Sequence, residues 1–222
     1  AESDTAVLAA YGKIISQEII NILKGGIINL HPSLLPKYRG PTPIESAILN
    51  GNKQTGVSIM QLTAGMDSGP VYAQQKLDLT GAESKQALAD SLGLIGAKLI
   101  VKVLDGDRKT TDQEGKPLIC KLIQKSDSKL DLNKTAEQLA HEVRAYLGWP
   151  SSKYTLTLKD GSELELTVTD AKVTTDKPEP TRLILKTAEE NLEILKLKLP
   201  GKNEITAKEF LNGYKTRFKS IS

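Results

Sequence analysis

The sequence predicts an α/β domain built on a partial Rossmann-like sheet, followed by a small, OB-like C-terminal β-barrel. Three observations carry this reading. Up to about residue 105, short apolar runs alternate with helical patterns, the mark of a sheet covered by helices. From residue 154 the apolar period falls to two, as in half-buried strands. Between these stretches, residues 106–127 hold Gly106, Asp107, Gly115, Pro117 and several charges, and read as a linker. The expected organisation is therefore an α/β portion over 1–105, a linker over 106–127 and a barrel over 128–222.

Residues 6–11 read as a buried strand closed by Gly12, and Ser16 is placed to cap a short helix that Gly25-Gly26 ends. Residues 27–30 form a second apolar strand. A short helix over 43–50 stops at Asn50-Gly51, and strands over 57–62 and 71–79 flank a Gly-rich turn at 64–70. The strongest helix spans 84–104, where Leu88, Leu92, Ile95, Leu99 and Val103 recur every three or four residues and mark one buried face. After the linker, Thr135-Ala136-Glu137-Gln138 fits a capping box that opens a helix with Leu139, Val143 and Leu147 on one side. Alternating strands follow near 154–158, 164–168, 183–185 and 192–199, the first two joined through Lys159-Asp160-Gly161-Ser162. A helix over 206–214 has Phe210 and Leu211 on its apolar face.

A sheet that opens on an apolar strand leaves an unpaired edge, and a doubly wound sheet wants a first half of about ninety residues, at ~30 per βαβ unit. The expectation is an incomplete domain; the alternative is a small three-layer domain whose sequence starts here.

Composition bounds the function classes. No apolar run approaches the ~18 residues that a membrane-spanning helix requires. A single cysteine, Cys120, cannot form an internal disulfide and says little more, and a reducing, cytoplasmic setting is the default expectation. The net charge is +3, from 30 Lys and Arg against 27 Asp and Glu. A chain that binds nucleic acid through overall charge is more basic than this, so any RNA contact must come from local clustering. The best cluster is the tail, where Lys208, Lys215, Arg217 and Lys219 face only Glu209. It reads either as a solvated helix end or as a set of phosphate contacts.

The residues suited to chemistry lie in the string Asn29-Leu30-His31-Pro32-Ser33-Leu34-Leu35-Pro36-Lys37-Tyr38-Arg39-Gly40. Asn29 and His31 sit two apart at a strand's carboxyl end, so they share a side where α/β sheets place ligands. An amide donor and a group that titrates near neutrality could together hold a carbonyl oxygen. Alone, the pair reads equally well as a strand end packed under a proline-rich loop. A second loop, Gly65-Met66-Asp67-Ser68-Gly69-Pro70, puts one carboxylate between glycines. Asp67 could polarise the imidazole or simply form an Asx-turn. His141, inside a helix and without such company, reads as structural or merely exposed.

The Asn-x-His-Pro-Ser-Leu-Leu-Pro string followed by Gly-Met-Asp-Ser-Gly resembles the signature of the 10-formyltetrahydrofolate-dependent formyltransferases. Order, spacing and both loops agree. The resemblance implies that Asn29, His31 and Asp67 are catalytic and that Ser33, Leu34, Leu35 and Pro36 shape the folate and formyl site. Lys37-Tyr38-Arg39-Gly40, Pro43-Ile44 and Leu49-Asn50-Gly51, with a long continuation through Leu130-Asp131-Leu132 and Trp149-Pro150, are similar to the methionyl-tRNA formyltransferases. They are less similar to the glycinamide ribonucleotide formyltransferases. Leu132 stands where the methionyl-tRNA formyltransferases usually have Trp, and Leu147-Gly148 where Asn-Pro is common in them.

The resemblance implies formyl transfer from 10-formyltetrahydrofolate to initiator methionyl-tRNA in translation initiation. His31 is expected to be protonated, Asp67 to keep it so, and no metal to be needed. It also implies tRNA contacts from Arg39, Lys215, Arg217 and Lys219. On the same grounds the chain reads as the C-terminal portion of such an enzyme, without the upstream half of the catalytic domain. It is expected to be inactive alone, or to stay paired with a separate N-terminal fragment. Two rivals stand beside this reading. One is a formyl hydrolase or amino-sugar formyltransferase on the same core; the other is a non-catalytic RNA-binding module.

Overall fold

The computed structural model describes residues 3–13 and 15–214, which form two compact units divided after Leu122. The basic residues Lys215, Arg217 and Lys219 lie outside the described residues.

In the first unit the order is β1 (Ala6–Ala9), α1 (Gln17–Ile22), β2 (Ile27–His31), α2 (Pro43–Leu49), β3 (Gln54–Gln61), β4 (Val71–Asp78) and α3 (Lys85–Asp105). The sheet runs β1-β2-β3-β4, parallel between β1 and β2 and antiparallel thereafter. The partly parallel Rossmann-like sheet read from the sequence is present. Strand β3 is buried over Thr55–Met60 because both its faces are covered: Val57, Ile59 and Met60 are fully buried.

Helix α3 lays Leu88, Leu92, Gly96, Leu99 and Val103 toward the sheet, capped at its start by the Ser84 hydroxyl accepting from the Ala87 N–H. Ile95 is only half-buried, and its neighbour Gly96 takes the close contact instead. A Cβ at Gly96 would come within 2.3 Å of the Leu30 side chain and 3.3 Å of Val57. The glycine therefore sets how near the helix lies to β2, although it costs about 1 kcal/mol in helix propensity against alanine.

Strand β1 departs from expectation. Read as a buried strand, it alternates between half-buried and exposed, with Val7 46% exposed and Tyr11 just beyond it at 55%. The cause is its position: β1 hydrogen-bonds β2 on one side and no described strand on the other. Residues 106–122 run back over this unit, with isolated pairings of Thr111 to Val71 and of Ile119 to Arg39.

The second unit starts with a 3-10 turn at Lys125–Ser128 and continues with α4 (Ala136–Ala145), β5 (Ser152–Thr157), β6 (Glu163–Thr174), β7 (Leu183–Lys186), β8 (Asn191–Lys198), β9 (Glu204–Thr206) and α5 (Ala207–Tyr214). It is a curled antiparallel half-barrel of order β5-β6-β8-β7, with β9 added to β8. The capping box of α4 is present, Thr135 and Gln138 each taking the other's backbone N–H. Leu139 and Val143 pack with Leu166, Leu185, Leu192, Ile194 and Phe210 in one core. Strand β6 is longer than its alternation suggests, because the register shifts around Asp170 and breaks the period of two. No helix among the described residues is long and apolar enough to cross a membrane.

Candidate active site

Strand β2 delivers Asn29 and His31 to one side of the sheet, and both are nearly buried, at 8% and 4% exposed. Opposite His31 in register stands Ser58 of β3. Its hydroxyl donates to the Ser33 carbonyl (2.6 Å) and accepts from the Leu35 N–H (3.0 Å) and from Gln74 Nε2 (2.8 Å). Gln74 Nε2 also reaches the Leu35 carbonyl (2.8 Å). One buried serine thereby satisfies three polar groups, which a loop lying over an apolar strand requires. Ser33 and Leu35 are buried inside this loop, with the Ser33 hydroxyl donating to the Lys37 carbonyl, while Leu34 and Pro36 remain partly exposed.

The loop then turns back on His31. Tyr38, at φ +59°, places its carbonyl 2.8 Å from His31 Nε2. A carbonyl only accepts, so Nε2 carries a proton and Nδ1 is the nitrogen left to titrate. The Tyr38 ring is fixed among Ala47 and Cys120, and its hydroxyl donates to Asn52 Oδ1 (3.1 Å).

His31 Nδ1 faces Asp67 Oδ2 at 3.7 Å, beyond hydrogen-bond range but within reach of an ion pair. That same oxygen accepts the Gly40 N–H at 2.8 Å. Burial holds the His31 pKa below the ordinary imidazole value, while Asp67 and the Tyr38 carbonyl pull it the other way. Desolvation is the largest of these effects, so burial favours the neutral imidazole over the charged one. The protonated His31 expected from the neighbouring carboxylate is thus disfavoured: its burial is invisible in the sequence.

Arg39, expected on resemblance to touch tRNA, directs Nε (2.9 Å) and Nη2 (2.7 Å) at Gln113 Oε1. Gln113 Nε2 in turn donates to the Asp67 and Gly69 carbonyls, both at 2.8 Å. A separate groove of about 700 Å³ lies on the second unit beside Lys129, Asp131, Lys153 and Tyr154, and includes none of Asn29, His31 or Asp67. Among the described residues no three His, Cys, Asp or Glu side chains are grouped as metal ligands.

The geometry can be set against known proteins. The formyl transferase family matches residues 1–104, and the formyl transferase C-terminal domain matches residues 122–215. A methionyl-tRNA formyltransferase of Thermodesulfovibrio yellowstonii is 36% identical over 219 residues, 95% of this chain and 70% of that protein. The chain belongs to the methionyl-tRNA formyltransferase family. A second relative of that name, from Sulfurihydrogenibium sp., is 34% identical over 96% of this chain and 72% of its own length.

Among solved structures, the methionyl-tRNA formyltransferase from Clostridium thermocellum aligns with TM-score 0.63 at 20% identity, over 78% of this chain and 74% of that one. HypX from Aquifex aeolicus, solved with tetrahydrofolic acid, aligns with TM-score 0.71 at 17% identity over 95% of this chain and 39% of that one. These two likenesses establish the formyltransferase fold. The enzyme is a one-carbon transferase, and its candidate centre brings His31, Asp67 and the Tyr38–Gly40 loop together, with Asn29 on the same side of β2 as His31.

Sequence reading missed Ser58, Gln74 and Gln113. Ser58 had a signal, being a polar residue inside the apolar run Val57-Ser58-Ile59-Met60. Gln113 had none, since it lies in a segment with no period.

Proposed function

We propose that the centre transfers the formyl group of 10-formyltetrahydrofolate to the α-amine of initiator methionyl-tRNA, as needed to begin translation. One observation carries the chemistry: a buried His31 whose Nε2–H is committed to Tyr38 and whose Nδ1 is left facing Asp67. The substrates are supported by the relatives that match nearly the whole chain, each a methionyl-tRNA formyltransferase. A folate donor is supported by the tetrahydrofolic acid in HypX and the 5-N-formyl-THF of the sugar formyltransferase WlaRD.

In this reading the amine nitrogen attacks the formyl carbon and the carbonyl becomes an oxyanion. His31 Nδ1 takes the proton that the amine loses, and Asp67 stabilises the imidazolium so formed. The Asn29 amide, on the same side of β2, donates to the oxyanion; one such donor is worth ~3 kcal/mol of barrier. The intermediate collapses by breaking the bond from the formyl carbon to the folate nitrogen, which receives the proton back from His31. Asp67 thus acts on a proton in transit; it does not maintain a permanent charge. Ser33, Leu34, Leu35 and Pro36 bound the folate side of the site.

The half-barrel and the basic residues Arg39, Lys215, Arg217 and Lys219 contribute tRNA phosphate contacts, which are salt-sensitive. The 222-residue chain by itself does not turn over. The support is the edge of β1 that no described strand pairs, with Val7 exposed on that strand, together with exposed Ile19, Ile22, Leu94 and Val101 on the helices. An N-terminal piece, separate or in one longer chain, would cover that surface and complete the folate pocket.

Amino-sugar formyltransferases share the fold at 16–20% identity, as in the Helicobacter canadensis enzyme with dTDP-3-aminofucose. The experiment is therefore a competition assay on the assembled enzyme, offering methionyl-tRNA and a dTDP-amino sugar with one folate donor. Formylation of the tRNA alone supports the proposal; formylation of the sugar alone defeats it.

A further inference from the structure

Residues 111–120 are tied by backbone to both loops that build the His31 site. Thr111 and Val71 exchange N–H to carbonyl bonds (2.8 and 2.9 Å) at the end of the Asp67 loop. Leu118 accepts the Arg39 N–H (2.9 Å), and Cys120 donates to the Arg39 carbonyl (2.8 Å), beside Tyr38 and Gly40. One side chain of this strap, Gln113, bonds to both loops. Its oxygen takes two N–H groups of Arg39, and its nitrogen gives one proton each to the carbonyls of Asp67 and Gly69. All four hydrogen-bonding positions of the amide are used.

From this geometry we infer that Gln113 is a positioning residue for the formyl-transfer centre: it fixes the backbone of Asp67 so that its carboxylate stays opposite His31 Nδ1. The inference rests on the function proposed above. Asp67 has φ +45°, a left-handed conformation uncommon outside glycine, which aspartate adopts when local hydrogen bonds hold it. Two bonds are made to it there, Gly40 N–H to the carboxylate and Gln113 Nε2 to the carbonyl.

The chemistry requires an amide here. A glutamate could accept from Arg39, but its oxygens would face two carbonyls and have no proton to give either. It would also add a second negative charge near the centre. A leucine would abandon Arg39 and both carbonyls.

Two measurements test this on the intact chain and its variants. The chain has two histidines, His31 and His141, so the His31 titration can be followed by NMR and assigned with His141→Gln. Asp67 is the charged group acting directly on His31, with Arg39 behind it through Gln113. We expect Gln113→Leu to lower the His31 midpoint by roughly 1 unit as Asp67 withdraws, and Gln113→Glu to leave it higher than in the Leu variant. Gln113→Asn, which keeps the amide at shorter reach, should lie nearest the parent and serves as the readout if the Leu variant fails to fold.

In the assembled enzyme, Gln113→Leu should reduce kcat by about 10- to 100-fold, as a misplacement near 1 Å does, with KM for both substrates nearly unchanged. An unmoved His31 midpoint in folded Leu and Glu variants would overturn the inference, and so would an effect confined to KM. The NMR result stands whether or not methionyl-tRNA is the acceptor, so failure of the proposed function would not be mistaken for failure of this role.

Discussion

Asp67 Oδ2 stands 3.7 Å from His31 Nδ1 and 2.8 Å from the Gly40 N–H, so the carboxylate is anchored to the loop and only faces the ring. The spacing suits the proton transfer proposed for this site. A direct hydrogen bond would favour the imidazolium at rest; at this distance burial dominates and His31 stays neutral until a proton arrives.

That arrangement has a signature in stability. The folded pKa of His31 lies below its unfolded value, so the unfolded chain binds the extra proton first as pH falls. Stability should therefore fall on acidification through the range from about 6.5 down to the depressed folded value. His31→Gln should flatten that dependence. Urea unfolding at pH 7 and pH 5 checks it, and equal slopes in both proteins would speak against a neutral, buried His31.

Gly96 offers a contest between local and tertiary effects. Alanine favours helix by about 1 kcal/mol over glycine. Its Cβ, however, would stand 2.3 Å from Leu30, the residue between Asn29 and His31. Overpacking costs ~1–3 kcal/mol, so Gly96→Ala should be net destabilising by roughly 1 kcal/mol. A denaturation midpoint raised above the parent would show that Leu30 yields easily.

How far the sequence could be read follows the same division. Helix α3, the α4 capping box and the Asp160-Gly161 turn are legible because each is encoded within a few neighbouring residues. Strand β9 is not, since three residues cannot display a period, and its Thr206 reads as a helix start. The exposure of β1 depends on what pairs with it, which its own composition does not record. Asn29, His31 and Asp67 stand out as residue types in suggestive loops. The groups that orient them do not: Gln113 meets Arg39 and Asp67 across 74 and 46 residues of chain, at contacts no local pattern encodes.

The tail gives a further expectation. Changing Lys215, Arg217 and Lys219 to Glu should weaken tRNA binding and flatten its salt dependence, by about one unit of slope for each phosphate no longer neutralised. Folate affinity should not change. Filter binding between low and moderate salt measures it, and an unaltered slope would place the RNA-binding residues elsewhere.

For the chain on its own, formyl transfer should be undetectable, with activity restored when an N-terminal piece of the same protein is supplied. Native mass spectrometry on the assayed sample reports which species is present. Robust turnover by a solitary 24.1 kDa monomer would remove the role assigned to the β1 edge.

Formyl transfer is proposed to rest on His31, with Asn29 and Asp67. The most direct test is the single-turnover rate from 10-formyltetrahydrofolate to methionyl-tRNA, in the assembled enzyme and in its His31→Ala variant. A fall of at least ~100-fold is expected, with tRNA binding intact. A His31→Ala enzyme turning over at close to the parent rate would contradict it.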